Sequence, residues 1–152
     1  MLNDLTAQVI VITGAGTGMG RETARLLAQY GATVVLVGRN RDTLAGIETA
    51  IRDGGGTAHA KPCDITDPAA VQQLIDWVHT ELGTIDVLIN NAGSNCAVMN
   101  PMYLPEDQLH AVLDTNLVSV FRLVRLVLPG VVERGGGAIL TVSSLAAVNP
   151  GL

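Results

Sequence analysis

Short apolar runs alternate along the chain with longer segments in which apolar residues recur at helical spacing. Continuous runs rich in Val, Ile and Leu are typical of strands buried on both faces of a sheet. The predicted strands are residues 8–13, 33–37, a more polar run at 57–61, 86–90 and 138–142. The helical patterns predict helices over residues 21–30, 41–53, 68–82 and 106–134, the last interrupted near Pro129 and Gly130.

The residues that flank the helical segments support these boundaries. Gly31 follows the first helix and three glycines at 54–56 follow the second, as expected at helix C-termini. Asn40 is placed to cap the second helix. Asp67 followed by Pro68 is typical of a cap and a first helical position.

Strand–helix alternation at this spacing predicts right-handed βαβ units and a parallel sheet. We therefore expect one domain over residues 1–152 with an α/β fold: a Rossmann-type, doubly wound parallel sheet in a three-layer α/β/α sandwich, with strand order 3-2-1-4-5. Ligands of such folds lie over the carboxyl ends of the strands, where the strand order reverses. The segments that follow the first, fourth and fifth strands all fall at that edge.

Composition and charge narrow the function classes. The chain is 48% hydrophobic and 15% charged, which indicates a globular protein, and its net charge of −5 argues against nucleic acid or an anionic membrane as the main partner. The N-terminus has no basic leader and no apolar run approaches about 18 residues, so we expect a cytoplasmic protein. Cys63, Cys96 and the three histidines show no metal-ligand spacing, and we predict free thiols and no metal site.

A glycine-rich segment, TGAGTGMG at residues 13–20, lies between the first strand and the first helix. A diphosphate needs exposed backbone N–H groups and the N-terminus of a helix, and side chains would block its approach. The glycines are Gly14, Gly18 and Gly20 in a GxxxGxG spacing, whereas the more general GxGxxG is absent because residue 19 is Met19. A plain tight turn is the alternative, but the strand–loop–helix context favours a dinucleotide.

The end of the second strand lacks the carboxylate that binds the ribose hydroxyls of NAD. Arg39 and Arg41 stand there instead, and a guanidinium makes charge-assisted contacts with a 2′-phosphate. The sequence therefore favours NADP over NAD, and it disfavours an S-adenosylmethionine-dependent methyltransferase. The alternative is that both arginines are solvated surface charges.

Several short motifs occur together and in order: residues 13–20 (TGxxxGxG), 63–65 (CDI), 90–93 (NNAG), 114–116 (DTN) and 142–144 (VSS). With these motifs the chain resembles the short-chain dehydrogenase/reductase family over essentially all its length. The resemblance implies hydride transfer between NADP(H) and a small-molecule alcohol or ketone.

The resemblance also implies a role for individual residues. The pyrophosphate would be held by Gly14, Thr17, Gly18, Met19 and Gly20, and the adenine by Asp64 with Ile65 beside the ring. The central crevice would be lined by Asn91, Ala92 and Gly93. Asn116 would hold the ordered water of a proton relay, and Ser144 would hydrogen-bond the substrate oxygen.

Simpler interpretations of the same residues stay open. Asp64 is also placed to cap the turn before the third helix, and Asn90 and Asn91 are common turn residues after a strand. Asn116 is equally explained as a solvated position of a helix, and Ser144 as the end of the fifth strand.

The family resemblance implies a catalytic Tyr with a Lys four residues later, about a dozen residues beyond Ser144. The only tyrosines are Tyr30 and Tyr103 and the only lysine is Lys61, so the pair is absent. We therefore expect a fragment of a longer active enzyme, in which the fifth strand and the 106–134 helix are left exposed. The alternatives are a non-catalytic dinucleotide-binding module, or a sheet-completing partner, and an unstable product. A homo-oligomer through the long helix is a further expectation, and the substrate is undetermined.

Overall fold

The computed structural model describes residues 4–97, 100 and 102–145, which form a sheet with helices on both faces. The strands are β1 (Val9–Thr13), β2 (Thr33–Gly38), β3 (Thr57–Pro62), β4 (Val87–Asn90) and β5 (Ala138–Thr141). The helices are α1 (Gly18–Gln29), α2 (Arg41–Asp53), α3 (Pro68–Glu81), α4 (Glu106–Leu113), a π-helical turn (Asp114–Val118) and α5 (Ser119–Arg134).

The five strands are parallel and lie in the order β3-β2-β1-β4-β5. The predicted fold class and strand order are thus confirmed. The reversal of the order falls between β1 and β4, where Val11 pairs with Leu88. The loops after β1 and β4 therefore open side by side at the carboxyl edge of the sheet, which is where ligands bind in such folds.

Two hydrophobic clusters cover the two faces of the sheet. Alternate residues of β1 serve different clusters: Val9 and Val11 pack with α3 and α5, whereas Ile10 and Ile12 pack with α1 and α2. All residues of β1 are buried because both faces are covered. The continuous apolar runs of the sequence reflect this double burial.

The long helical segment differs from its prediction at two points. It is not interrupted at Pro129 and Gly130, because both lie inside α5, so that prediction was wrong. Arg125, whose carbonyl loses its donor to the proline, is exposed, and water can pair with that carbonyl. The irregularity lies instead at Asp114–Val118, where the helix widens by a π-helical turn.

Apolar side chains remain exposed along this helical run and along β5. β5 is an edge strand with Leu140 48% exposed, and Phe121 of α5 is 69% exposed, as the sequence predicts. Within the described residues, Glu106–Arg134 is also the one helical run whose length and composition suffice to cross a bilayer. Helices of soluble proteins pass the same test, so this is weak evidence for a membrane.

Candidate dinucleotide-binding site

An open crevice of about 770 Å³ lies over the carboxyl ends of β1, β2, β3 and β4. This volume is within the usual range of small-molecule and cofactor sites. The crevice is lined by the loop after β1, the start of α2 and the loops after β3 and β4, with a few residues of α4 and the π-helical turn. The lining residues are Gly14, Gly16, Thr17, Gly18, Met19, Gly38, Arg39, Asn40, Thr43, Leu44, Cys63, Asp64, Ile65, Thr66, Asn91, Ala92, Gly93, Ser94, Ala111, Asp114 and Thr115.

The three glycines of the first loop are required for different reasons. Gly14 has φ +66°, and a Cβ on it would lie 2.9 Å from both Ala92 Cα and Asn91 Nδ2. Gly20 is buried, and its Cβ would collide with the carbonyl of Gly14. Gly18 has φ +50°, and beyond its chain neighbours and its own helix no described atom lies within 4 Å of an added Cβ. Gly14 and Gly20 thus serve close packing of the backbone, whereas Gly18 leaves open space beside the loop.

The N-terminus of α1 is suited to an anion. Its cap is Thr17, whose side chain makes no capping hydrogen bond, and its first turn contains no acidic residue. The first intrahelical bond runs from Arg21 N to Thr17 O, so the amides of the preceding turn have no intrahelical acceptor. Among the described residues, these amides and the Thr17 hydroxyl have no hydrogen-bond acceptor or donor. Together with the positive end of the helix dipole and the open space at Gly18, they fit a diphosphate.

The loop after β3 forms the opposite end of the crevice. Oδ1 of Asp64 accepts from Thr66 N at 2.9 Å and from Thr66 Oγ1 at 2.8 Å. These two bonds, with a smaller contribution from the charge of Arg39, hold the pKa of Asp64 below its usual value. The carboxylate is therefore ionised, and its Oδ2 makes no hydrogen bond among the described residues. That oxygen is an acceptor for an amino group.

Cys63 precedes Asp64 and lines the same end of the crevice. It is a free thiol, as is Cys96. Burial, with the charges of Asp64 and Asp67, raises the pKa of Cys63 to about 11. The thiol is therefore neutral at physiological pH and provides an apolar wall rather than a nucleophile.

A network centred on Thr13 joins the loops after β1 and β4. The buried Thr13 Oγ1 accepts from Asn91 N and from Ala92 N, each at 3.0 Å. In return, Asn91 Nδ2 donates to Thr13 O at 3.0 Å and Gly14 O at 3.3 Å. Four hydrogen bonds therefore connect the glycine loop to the NNAG segment.

Asn116 lies in the π-helical turn and reaches the loop after β4. Its Nδ2 donates to Ser94 O, and Ser94 N donates to its Oδ1, each at 2.8 Å. Ser119 Oγ donates to Thr115 O at 2.6 Å, while Ser119 N bonds to Asp114 O five residues earlier. The hydroxyl of Ser119, which is fully buried, thus pairs a carbonyl that the wider turn deprives of its usual donor.

The structure brings most of the predicted residues to one crevice. Those lining it are Gly14, Thr17, Gly18, Met19, Arg39, Asp64, Ile65, Asn91, Ala92 and Gly93. Gly20 is buried and does not line the crevice. Asn116 does not line it either, but it bonds to Ser94, which does. Ser144 is exposed just beyond β5 and is not among the lining residues of the described chain. The roles of Asn116 and Ser144 stay predictions.

The simpler interpretations fare differently. Asp64 does cap its turn, but it lines the crevice as well, so the two interpretations coexist. Asn116 is not merely solvated, because its amide makes two hydrogen bonds to Ser94. Sequence reasoning missed Thr13, although a Thr that ends a buried strand was a signal. It also missed Thr43, which approaches the glycine loop at the start of α2, 3.6 Å from a Cβ built on Gly16.

Comparison with known proteins identifies relatives over nearly the whole chain. A family model described as short chain dehydrogenase matches residues 8–152. The chain is 38% identical over 145 residues to the 7alpha-hydroxysteroid dehydrogenase of Escherichia coli (strain K12), covering 95% of this chain and 56% of that protein. Across curated relatives, the chain spans about half of their length.

Two solved structures are similar as well. A 7 alpha-hydroxysteroid dehydrogenase complexed with NADH and 7-oxo glycochenodeoxycholic acid has a TM-score of 0.91 and 37% identity, with 98% of this chain and 59% of that chain covered. A metagenomic short-chain oxidoreductase in complex with NADP has a TM-score of 0.90 and 32% identity, with 93% and 64% covered. These relatives include one with each nicotinamide cofactor.

Proposed function

The chain belongs to the short-chain dehydrogenase family, and on that basis we propose that it forms the NADP(H)-binding part of an oxidoreductase acting on an alcohol or carbonyl compound. The observation that carries the proposal is the glycine loop. The first amides of α1 and the Thr17 hydroxyl, which have no hydrogen-bond partner among the described residues, face a crevice whose far end holds an ionised carboxylate. Donors for a diphosphate and an acceptor for an adenine amino group are thus both available.

The choice of NADP over NAD rests on the end of β2. Gly38, Arg39 and Asn40 line the crevice there, and none of them is acidic. Arg39 and Asp64 line the same crevice, and the charge of Arg39 contributes to the lowered pKa of the Asp64 carboxyl. A 2′-phosphate at this point would meet a positive charge, whereas NAD would meet no carboxylate for its ribose hydroxyls.

The reaction of the whole protein is a hydride transfer together with a proton transfer. Bound NADPH supplies the hydride for the carbonyl carbon, and an acid supplies the proton for the oxygen. Ser144 is proposed to hydrogen-bond the substrate oxygen, and Asn116 to hold a water of the proton relay. The Tyr-x-x-x-Lys pair is not within residues 1–152. Turnover is therefore proposed only for a longer protein of which this chain is a fragment.

Titration with NADPH and with NADH, followed by cofactor fluorescence, tests the proposal. We expect tighter binding of NADPH by about 10-fold or more, since a charge-assisted contact is worth about 1.5–3 kcal/mol. Arg39→Asp reverses the preference, and Arg25→Asp, an exposed arginine of α1, leaves it unchanged. Equal affinities in the parent would remove the NADP preference, and no binding of either cofactor would remove the proposed function.

A non-catalytic dinucleotide-binding module is the second candidate, and the missing Tyr-x-x-x-Lys pair is the observation that favours it. It predicts NADPH binding without oxidation of the cofactor by carbonyl compounds even in a longer protein that contains residues 1–152, whereas the first candidate predicts turnover there. Measurable turnover by this chain alone would exclude it. A cytoplasmic location, a homo-oligomeric state and the absence of membrane and nucleic-acid partners remain part of the proposal.

A further inference from the structure

An arginine of α5 contacts the loop that forms the adenine end of the proposed site. Nη1 of Arg122 donates to Ile65 O at 2.9 Å and to Thr66 O at 3.2 Å. The partners are 57 and 56 residues apart in the chain, and the contact is partly buried. A helix of the second half of the chain is therefore tied directly to a loop of the first half.

The internal hydrogen bonds of this loop leave those two carbonyls without a donor. Residues 64–67 form a turn closed by a bond from Asp67 N to Asp64 O at 3.1 Å. Thr66 N and Thr66 Oγ1 both donate to the Asp64 carboxylate. Among the described residues, the carbonyls in the middle of the turn have no other hydrogen-bond donor than Arg122. Since partly buried carbonyls without partners are costly, the arginine stabilises this conformation of the turn.

The conformation of the turn decides where the Asp64 carboxylate points. The geometry points to Arg122 as a positioning residue for the adenine half of the cofactor: by holding the two central carbonyls, it fixes Asp64 and Ile65 in the crevice. This inference rests on the proposed function, because it assumes that adenine binds at Asp64. Arg122 itself is absent from the lining of the crevice and acts through the loop.

A matched control exists one turn away on the same helix. Arg125 has the same side chain and the same charge, but it is exposed, and its guanidinium makes no hydrogen bond or ion pair with another described residue. Arg122→Met keeps most of the apolar stem and removes the donors, and Arg125→Met makes the same chemical change without touching the loop. Arg122→Lys keeps the charge, but its ammonium lacks the planar donor fork of a guanidinium.

Binding of two partial ligands to the full chain separates the adenine end from the nicotinamide end. We expect Arg122→Met to weaken ADP-ribose binding about 10-fold and to leave nicotinamide mononucleotide binding unchanged. The ADP-ribose affinity of Arg122→Lys should lie between those of the parent and of Arg122→Met. Arg125→Met should change the affinity for neither ligand. Equal weakening of both ligands by Arg122→Met would indicate general destabilisation and overturn the inference.

A ligand with a modified adenine tests whether Arg122 affects recognition of the adenine amino group. A purely structural role of Arg122 would leave the discrimination between the two ligands unchanged. In 1,N6-etheno-ADP-ribose the amino group is blocked, so the parent should bind it more weakly than ADP-ribose, and Arg122→Met should lose most of this discrimination. Unchanged discrimination in Arg122→Met would overturn the inference while the proposed function stands. Failure of the parent to bind ADP-ribose would overturn both. If Arg122→Met shows no cooperative unfolding and is therefore not folded, the same two ligands are compared in Arg122→Lys instead.

Discussion

Asn116 and Ser94 exchange two hydrogen bonds of 2.8 Å, although 22 residues separate them in the chain. The carboxamide of Asn116 bonds both the N–H and the C=O of Ser94, as a residue of a neighbouring β-strand does. It therefore stabilises the loop after β4. Asn116 sits in the π-helical turn Asp114–Val118, and a Cβ on Gly93 would lie 3.6 Å from its Oδ1. The helix irregularity and the loop geometry thus belong to one arrangement.

Removal of this amide should loosen the loop. We expect Asn116→Ala to speed hydrogen exchange at the Ser94 amide by about 10-fold, as loss of a hydrogen bond of about 1–2 kcal/mol implies. Asn100→Ala is the control, because the one hydrogen bond of the Asn100 side chain to a described residue is the local one that its Oδ1 accepts from Met102 N. Exchange measured by mass spectrometry on peptides of the loop decides the matter, and an unchanged rate at Ser94 contradicts the structural role.

The hydroxyl of Thr13 should matter more for stability than its size suggests. Thr13→Val preserves the shape but leaves the partly buried amides of Asn91 and Ala92 without their acceptor. We expect the free energy of unfolding to fall by about 3 kcal/mol. Thr33→Val on β2 is the control, since Thr33 makes no side-chain hydrogen bond among the described contacts. Urea denaturation of both variants tests this, and equal losses would refute it.

The glycines of the chain should respond differently to alanine. Gly14→Ala combines a positive φ, worth about 1–2 kcal/mol, with close contacts to the loop after β4, so we expect it to destabilise the fold more than Gly18→Ala. Gly18→Ala should mainly weaken cofactor binding. Gly46→Ala, in α2 with open space around it, should stabilise the protein by about 0.5–1 kcal/mol.

Thermal unfolding with and without NADPH distinguishes these three variants. The order of stability expected without cofactor is Gly46→Ala above the parent, then Gly18→Ala, then Gly14→Ala. A Gly18→Ala variant that binds NADPH as tightly as the parent would argue against a diphosphate beside that glycine.

Cys63 should be unreactive at neutral pH. Its pKa of about 11 means that only about a thousandth of the thiol is ionised at pH 8, and the thiolate is the reactive form. In Cys96→Ser, alkylation of Cys63 by iodoacetamide should rise about tenfold per pH unit from about pH 7 to about pH 10. In the urea-unfolded protein, where the thiol pKa is about 8.5, the alkylation rate should instead level off above about pH 9.5. A plateau at that pH in the folded protein would contradict the raised pKa.

Much of the fold could be predicted because it depends on local patterns. The apolar runs of β1 and β2 indicate strands covered on both faces, and the parallel order follows from their alternation with helices. The start of α1 was placed three residues too late, since Gly18 and Gly20 have low helix propensity and yet begin the helix. The break expected at Pro129 did not occur, because the helix tolerates the proline on its exposed side.

The candidate site divides in a similar way. Gly14, Gly18 and Arg39 were recognisable because each occupies a characteristic position after a strand, whereas Asp64 was recognised only through the family resemblance. Arg122 was not, because nothing in its neighbourhood on α5 indicates two carbonyls 56 and 57 residues away.

The sequence by itself determined the order of strands and helices, the glycine loop and the charge at the end of β2. Each of these depends on residues close together in the chain, where backbone preferences and hydrophobic periodicity act. Only the tertiary structure decided which polar groups pair across the carboxyl edge of the sheet: Thr13 with the NNAG segment, Asn116 with Ser94 and Arg122 with the turn after β3. Those pairings depend on distances between separate elements, which are set by packing of the whole core.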